Sequence, residues 1–411
     1  MRIFLTTLII CVLPLCLSWA EGGEDAISSI LRQIEANNKE LQANAQLVSS
    51  QKLESKVNNN LPDPTVSYSH LWDSSDSNIT EGELIVSQSF DFPTLYATRG
   101  KLNRFKIGAL DAQAAAFRQQ LLLQAKEICL DIILLNQQQA LLDQRQKNAE
   151  ELADLYAQRL KTGDANILET NKINLELLNI RTEVRMNRTN LNNKLKELSA
   201  LNGNKSLAPG RALPGYDTYG VTIPGLTDYP AVPLPTDFSS ECAQLLAEDP
   251  TLQSLSNESD AARKQISASK QGWLPRLELG YRRNTESGHP LNGVVVGFSI
   301  PIFENRNKVK IAKSQALSID YQKESATMQA GAALWQLYEE ASNLHASMQE
   351  YEQAFDRQQD LSLLKQALVG GQISLIEYFV EASVVYQSKE NLLQLENQYQ
   401  KAMARIYKSR L

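Results

Sequence analysis

The chain has 411 residues, a length that allows two or three domains. Apolar residues make up 43% and charged residues 21%, which excludes a disordered chain and a many-span helical membrane protein. The formal net charge of −6 argues against a nucleic-acid partner, four Cys exclude a disulfide scaffold, and three His leave little room for histidine-based metal chemistry.

The first segment, MRIFLTTLIICVLPLCLSWA, reads as a signal peptide over residues 1–20. Arg2 gives the positive start, Ile3 to Leu17 are almost all apolar, and Ser18-Trp19-Ala20 offers small residues at a cleavage site. The run is short of the ~20 residues a membrane-spanning helix needs. Cys16 follows Leu15, where a lipidation signal has Gly, Ala or Ser. Cys129 and Cys242 then remain, far apart, and read as small buried side chains. No later apolar run reaches 18 residues. An exported chain of this kind is expected to stay soluble in the envelope or to cross a membrane as β-strands.

Proline marks out the rest. In the mature chain it falls at 62, 64 and 93 and then from 209 to 301, leaving two stretches of more than 100 residues free of it. Both are rich in Leu, Ala, Gln, Glu and Lys, which favour helix. The chain also repeats itself. Asn38-Lys39-Glu40-Leu41-Gln42 matches Asp249-Pro250-Thr251-Leu252-Gln253, and Pro64-Thr65-Val66 matches Pro275-Arg276-Leu277, both at an offset of 211. Pro93 matches Pro301 and Gly163 matches Gly371 at an offset of 208. The first repeat, 21–202, is expected to hold a helix, a β-hairpin at about 64–92, a long helix, a turn at about 161–167 and a helix. A Pro- and Gly-rich linker spans 203–238. The second repeat, 239–411, has the same plan, with its hairpin at about 275–301 and its turn at about 370–374.

The hairpins alternate with period two. Val66 and Tyr68 alternate with Ser67 and Ser69; Leu84, Val86 and Phe90 alternate with Ile85, Ser87 and Ser89. In the second hairpin Leu277, Leu279 and Tyr281 precede a loop RNTESGHPLN, and Val294, Val296, Phe298 and Ile300 follow it. A soluble sandwich face alternates in the same way. The run lengths also suit strands crossing a bilayer, with Trp72, Trp273 and Phe303 placed as a membrane girdle. Four strands cannot close a barrel, so three chains would have to supply twelve. The first long helix carries a heptad through Leu121, Ile128, Leu135, Leu142, Ala149 and Tyr156. The second carries an Ala-rich seam through Val309, Ala312, Ala316, Ile319, Lys323, Ala326, Ala330, Ala333 and Leu337.

With this duplicated plan, the hairpin entry Leu274-Pro275-Arg276-Leu277, the hairpin exit Ile300-Pro301-Ile302-Phe303 and the turn Gly371-Gln372-Ile373-Ser374-Leu375-Ile376-Glu377, the chain resembles the outer membrane efflux protein family, the TolC-like channels. The resemblance implies a mainly α fold with a small β part. Long antiparallel helical hairpins would form a trimeric α-barrel, and four transmembrane strands per chain would share a twelve-strand β-barrel. It implies a homotrimer in the bacterial outer membrane, extending into the periplasm. The partners would be outer membrane lipid, a periplasmic adaptor and an inner-membrane pump, proton-driven and of the RND type; no nucleic acid is expected. The two helical turns would form the periplasmic tip, with Thr162, Gly163, Asp164, Asn166 and Ile167 in one and Gly370, Gly371, Ser374 and Leu375 in the other as adaptor contact or aperture. Each glycine could equally just end a helix. Asp164 could form a constricting carboxylate ring, cap the helix starting at Ile167, or be merely solvated. Asn166 stands where the family pattern has Ser. The implied function is the passive exit duct of a tripartite efflux system. A type I protein-secretion conduit and a soluble periplasmic coiled-coil scaffold or adaptor are the alternatives. No catalytic motif, cofactor site or metal site is read in the sequence, and His70, His289 and His345 have no partners at metal-ligand spacing. An enzyme is not expected.

Overall fold

The computed structural model describes residues 22–72, 74–75, 80–207, 223–286, 289–357 and 361–411. The signal peptide expected at 1–20 and part of Asn78-Ile79-Thr80 lie outside these residues. In chain order the elements are α1 (Gly22–Asn37), α2 (Lys39–Val57), β1 (Thr65–Trp72), β2 (Thr80–Phe90), α3 (Pro93–Thr162), α4 (Ile167–Leu201), α5 (Phe238–Glu248), α6 (Pro250–Gln271), β3 (Arg276–Glu286), β4 (His289–Ser299), α7 (Lys308–Arg357), α8 (Leu361–Val369) and α9 (Leu375–Ile406). No described helix is long and apolar enough to cross a membrane.

The structure corrects two expectations. Each repeat opens with two helices, not one. Asn38 separates α1 from α2, and its side chain accepts from the Leu41 N–H. Asp249 separates α5 from α6 and accepts from the Thr251 and Leu252 N–H groups. These residues are related by the 211-residue offset, so that match marks a capped helix start. Pro250 sits in the first turn, where its missing N–H is no loss. In the second repeat the described long-helix residues are those of α7, up to Arg357, and α8, from Leu361; residues 358–360 lie outside the described residues. Finally, the strands of the second hairpin run through most of the expected loop 283–292, with Glu286 paired to His289.

The four strands form one antiparallel sheet in the order β1-β2-β3-β4. The hairpins are joined by β2 and β3, with Val86 opposite Tyr281 and Gln88 opposite Leu279. Gly280 lies at this junction because a Cβ there would stand 2.7 Å from the Val86 carbonyl oxygen. β1 and β4 are the free edges.

The chain divides into two compact units, and each draws on both sequence repeats. One contains Ala125–Pro233 and Ser347–Lys401 with the chain up to Ala36; the other contains Asn37–Gln124, Leu234–Ala346 and Ala402–Leu411. In the first, Ala125, Ile128, Cys129, Leu130, Ile132 and Ile133 of α3 are all buried. So wide an apolar stripe needs cover from more than one neighbour, while Lys126, Glu127 and Asp131 take the remaining side. Part of the cover comes from α9 and the described end of the linker. Asn397 donates to the Leu130 carbonyl (2.9 Å), Asn136 to that of Leu226 (2.8 Å), and Tyr399 to that of Val232 (2.8 Å). The bonds to Leu226 and Val232 satisfy carbonyls of the irregular linker that no helix or sheet pairs, and the bond to Leu130 adds to its place in the α3 ladder. Burial of the Cys129 thiol pushes its pKa up to about 12, so it is inert packing, as expected. In the second unit the α7 seam is legible: Ala312 and Ala316 are buried and Val309, Ile319, Lys323, Ala326 and Ala330 half-buried, but Ala333 is exposed.

Candidate functional site

Two features can carry function: a pair of helical turns in the first unit and the faces of the sheet in the second.

The turns are built alike. At the first, Gly163 has φ +82°; its N–H donates to the Leu160 carbonyl, and the Asp164 N–H donates to that of Arg159 at 2.8 Å. At the second, Gly371 has φ +72°; its N–H donates to the Leu368 carbonyl, and the Gln372 N–H donates to that of Ala367 at 2.8 Å. This is a Schellman stop, in which a left-handed residue closes the helix and the next N–H reaches back five residues. Gly370 has no positive φ, so only Gly371 of that pair needs to be glycine on conformational grounds.

Three residues after each glycine, the next helix starts with a reciprocal cap. The Asn166 side chain accepts from the Leu168 N–H, and the Glu169 carboxylate accepts from the Asn166 N–H at 2.9 Å. The Ser374 hydroxyl accepts from the Glu377 N–H, and the Glu377 carboxylate accepts from the Ser374 N–H at 2.7 Å. That backbone bond, with the Ser374 hydroxyl, holds the Glu377 carboxyl below the usual carboxylate range. Asn166 and Ser374 are therefore equivalent, since both are strong cap formers. Asp164 is not the cap; it accepts from the Thr162 hydroxyl at 2.8 Å. The glutamates three residues on, N-x-x-E and S-x-x-E, are a capping-box pattern visible in the sequence and not used in reading it.

Behind the turns lies a shared core. Leu152, Tyr156, Ile173, Leu361, Leu368, Leu375, Tyr378, Ala382 and Tyr386 are buried together, with Ala165 and Ile373 packed against them from the two turns. Leu375, expected as a contact or aperture residue, is instead buried in this core, while Ile167 is exposed. Burial pushes the Tyr378 phenol up to about 12, with the neighbouring Tyr386 and Glu151 adding to the shift. Polar links tie the two helix pairs together. Lys365 of α8 is ion-paired with Glu151 of α3, which holds that carboxyl low. Asn148 donates to the Tyr386 hydroxyl at 2.8 Å, and Arg159 donates to the Val369 carbonyl, the last of α8, at 3.1 Å. Arg145 bonds Glu176 (2.5 Å) and Glu183 (2.8 Å) on α4 and lies over the Tyr386 ring. None of these linking residues was singled out from sequence. Their signal is only a spacing of eight between two tyrosines.

The sheet has two chemically distinct faces. The register places Val66, Tyr68, Trp72, Leu84, Val86, Leu277, Leu279, Tyr281, Val294, Val296 and Phe298 on one face. The other carries Ser67, Ser69, Glu81, Glu83, Ser87, Ser89, Glu278, Arg282 and Asn284, with Leu71, Ile85, Leu291 and Val295 among them, as Gln88, Arg283 and Asn292 stand among the apolar side chains of the first. On the polar face Arg282 bonds Glu83 at 2.5 Å, and Asn284 donates to Glu81 at 2.8 Å. Among the described residues much of the apolar face is open, with Val294 81% exposed and Phe298 66%, while Leu84 and Leu277 are half-buried. Trp72 lies at the loop end of this face in a row with His70 and Tyr68, its ring tilted against the His70 imidazole, which stacks on Tyr68. Trp273 and the 88%-exposed Phe303 stand just outside the opposite ends of β3 and β4. The three expected girdle residues therefore flank both ends of the strands.

Residues 242–409 match the family described as Outer membrane efflux protein. No curated protein matches the chain in sequence. In three dimensions the chain is similar to VceC, an outer membrane protein of Vibrio cholerae, at TM-score 0.74 and 12% identity, over 95% of this chain and 98% of that one. It is similar to CusC, solved in connection with folding and transmembrane channel formation, at TM-score 0.73 and 16% identity, over 94% and 92% of the two chains. It is similar to the Campylobacter jejuni CmeC outer membrane channel at TM-score 0.70 and 14% identity, over 95% and 85%. At such identities the likeness is one of fold. The mainly α fold with a small β part, and the resemblance drawn from the residues, are both borne out.

Proposed function

We propose that this chain, whose second repeat carries the outer membrane efflux signature, is the exit duct of a tripartite efflux system in the bacterial outer membrane. The observation that carries the reading is the sheet: a single layer with one face mostly apolar and largely exposed, the other mostly polar, and edge strands β1 and β4 that pair on one side only among the described residues. In hydrocarbon every backbone N–H and C=O must be paired, so β1 and β4 have to meet strands of other copies. Three copies supply twelve strands, with the polar faces lining a water-filled bore and the apolar faces meeting lipid. The strands of 8 to 11 residues suit a tilted crossing. The helices would continue the duct as an α-barrel into the periplasm. The turns at Gly163 and Gly371 would form its periplasmic tip, where an adaptor docks and the aperture closes. The duct itself supplies no energy; an inner-membrane pump, proton-driven and of the RND type, would set direction.

A soluble scaffold is disfavoured because it requires Val296 and Phe298 to pack inside a domain, and they are 59% and 66% exposed. Detergent extraction from membranes followed by negative-stain imaging tests the reading. Trimeric rods with a detergent belt at one end are expected. Protein released without detergent, as a monomer or thin dimer, would sink it. Sensitivity of a deletion strain to drugs and metals, with protein export unchanged, separates efflux from type I secretion.

A further inference from the structure

A collar of positive charge lies where the helices of the sheet-bearing unit meet the strands. α2 leads into β1, α3 follows β2, α6 leads into β3 and α7 follows β4. Because neighbouring strands are antiparallel, all four of these helix ends lie at one end of the sheet. The segments next to the strands, 47–64, 91–104, 261–275 and 300–318, hold twelve Lys and Arg against four Asp and Glu. The adjoining turns farther from the strands, 37–46, 105–116, 250–260 and 319–330, hold three against six. The excess is therefore a band about three helical turns deep, in a chain whose net charge is −6. At the strand ends themselves Arg276 and Glu278 cancel, so the excess belongs to the helices.

Only part of this charge is neutralised within the chain. Arg99 bonds Asp91 at 2.7 Å and Lys308 bonds Glu304 at 3.6 Å, while Lys52 and Arg263 reach away from the strands to Asp111 and Asp320. Lys101, Arg104, Arg306, Lys310 and Lys313 are exposed and bond no carboxylate among the described residues. Helix stability does not account for them all. α7 opens with Lys308 and Lys310 and has no acidic residue in its first turn, whereas α2, α4, α5 and α9 each open with a Glu. Cations at a helix N-terminus oppose its dipole, and an external anion would offset that cost. A second copy of the chain does not supply the anion. Where the β1 and β4 edges of two copies meet, the helix end brought beside α7 is that of α2, whose Lys52 and Lys56 stand against Glu54 and Asp63, so the neighbour adds no net charge. An anionic membrane surface does supply it. Trp273 and Phe303 stand at this same end of the strands, and the apolar face beyond them is the one the channel reading gives to lipid. Basic residues just outside a hydrocarbon span are drawn to anionic headgroups over about a Debye length, ~8–10 Å.

We infer that the collar docks on the anionic headgroups of a glycerophospholipid leaflet and draws anionic lipid into the ring of lipid around the barrel. The inference rests on the channel reading and goes beyond it: that reading needs hydrocarbon against the strands and no particular headgroup charge.

The full chain, extracted in detergent and reconstituted in phosphatidylcholine vesicles, is probed with spin-labelled phosphatidylglycerol and spin-labelled phosphatidylcholine. Electron spin resonance reads the fraction of each label slowed by the protein. Phosphatidylglycerol is expected to be enriched about threefold or more over phosphatidylcholine in low salt, and the preference to fade near ~1 M salt. A variant combining Lys101→Gln, Arg104→Gln, Lys310→Gln and Lys313→Gln should lose most of the preference while the trimer level stays normal, because these exposed side chains hold no carboxylate. Arg188→Gln with Lys196→Gln, two exposed cations of α4, should keep it. Equal association of the two lipids with the wild type, or a preference unchanged by salt or in the fourfold variant, overturns the inference and leaves the channel reading intact. An unchanged preference in that variant together with a shifted reversal potential across a planar bilayer would assign the cations to the bore, and overturns it as well. Recovery of the wild-type protein without detergent would overturn the channel reading, and the inference with it.

Discussion

α3 and the α7–α8 pair occupy corresponding places in the two sequence repeats, yet they solve different problems. α3 is one 70-residue helix whose middle is buried over more than half its circumference, leaving the side of Gln124, Glu127 and Asp131 partly open. α7 is 50 residues long with a buried seam of alanines and an open opposite side, where Ile311, Leu317, Tyr321 and Met328 are exposed. Leu- and Ile-rich faces pull several neighbours onto α3, while Ala on α7 permits close approach along one line only. The turns that follow show the opposite: Gly163 and Gly371 agree in φ sign, in both reach-back bonds and in the reciprocal cap three residues on. Duplicated segments keep what backbone geometry demands and let helix faces diverge with their surroundings.

The comparison is broken most severely where the repeats join. Gly280→Val puts a side chain against the Val86 carbonyl, and the expected outcome is loss of the assembled protein on native gels. Gly293→Val, whose nearest neighbour is 4.0 Å away, should assemble normally. In the core behind the turns, Leu368→Ala removes a fully buried side chain and should cost about 2–5 kcal/mol. Leu363→Ala, at a 44%-exposed position on the same helix, should cost far less. Faster hydrogen exchange through α8 and α9 in the first variant alone is the expected record.

The turns themselves give smaller effects. A Cβ at Gly163 or Gly371 meets no atom within 4 Å, so substitution costs only the left-handed backbone, about 1–2 kcal/mol. Gly371→Val should impair efflux, read as dye accumulation, while the trimer level stays normal; Gly371→Asn should be milder. Unchanged efflux in Gly371→Val would remove that turn from the docking surface, and running Gly163→Val beside it tells whether both turns are used. Asn166→Ala and Ser374→Ala should each cost about 1 kcal/mol, since each side chain caps an otherwise unpaired N–H of the first turn, Asn166 that of Leu168 and Ser374 that of Glu377. The smallest effect is one of pH. The Glu377 pKa is depressed in the fold, so its contribution is present above the ordinary Glu value and is lost as pH falls through the depressed one. Exchange in the first turn of α9 should therefore rise only in acid, and Glu377→Gln should flatten that rise.

Much of this was legible in the residues. The offset of Gly163 and Gly371, the period-two runs of the hairpins and the proline-free stretches located turns, strands and helices, because each reflects a constraint acting within a few residues. The helix starts at Asn38 and Asp249 were visible as a repeat but not recognised as caps. Leu375 looked like a turn residue open to a partner, yet it faces Tyr378 and Leu368 in a buried cluster. Its neighbours in sequence gave no sign of this, because the other half of the cluster comes from α3 and α4, some two hundred residues earlier.

Local backbone chemistry was thus determined by sequence alone: left-handed glycines, capping side chains, alternation on strands and heptads on helices all act at short range. Tertiary structure decided what required distant segments to meet. It joined β2 to β3, made the two hairpins one sheet, and gathered the basic ends of four helices at one end of that sheet. It also drew each compact unit from both repeats, so that duplication in sequence did not become division in space. The reason is physical: burial is a property of the surfaces that meet, and those surfaces belong to residues no window along the chain contains.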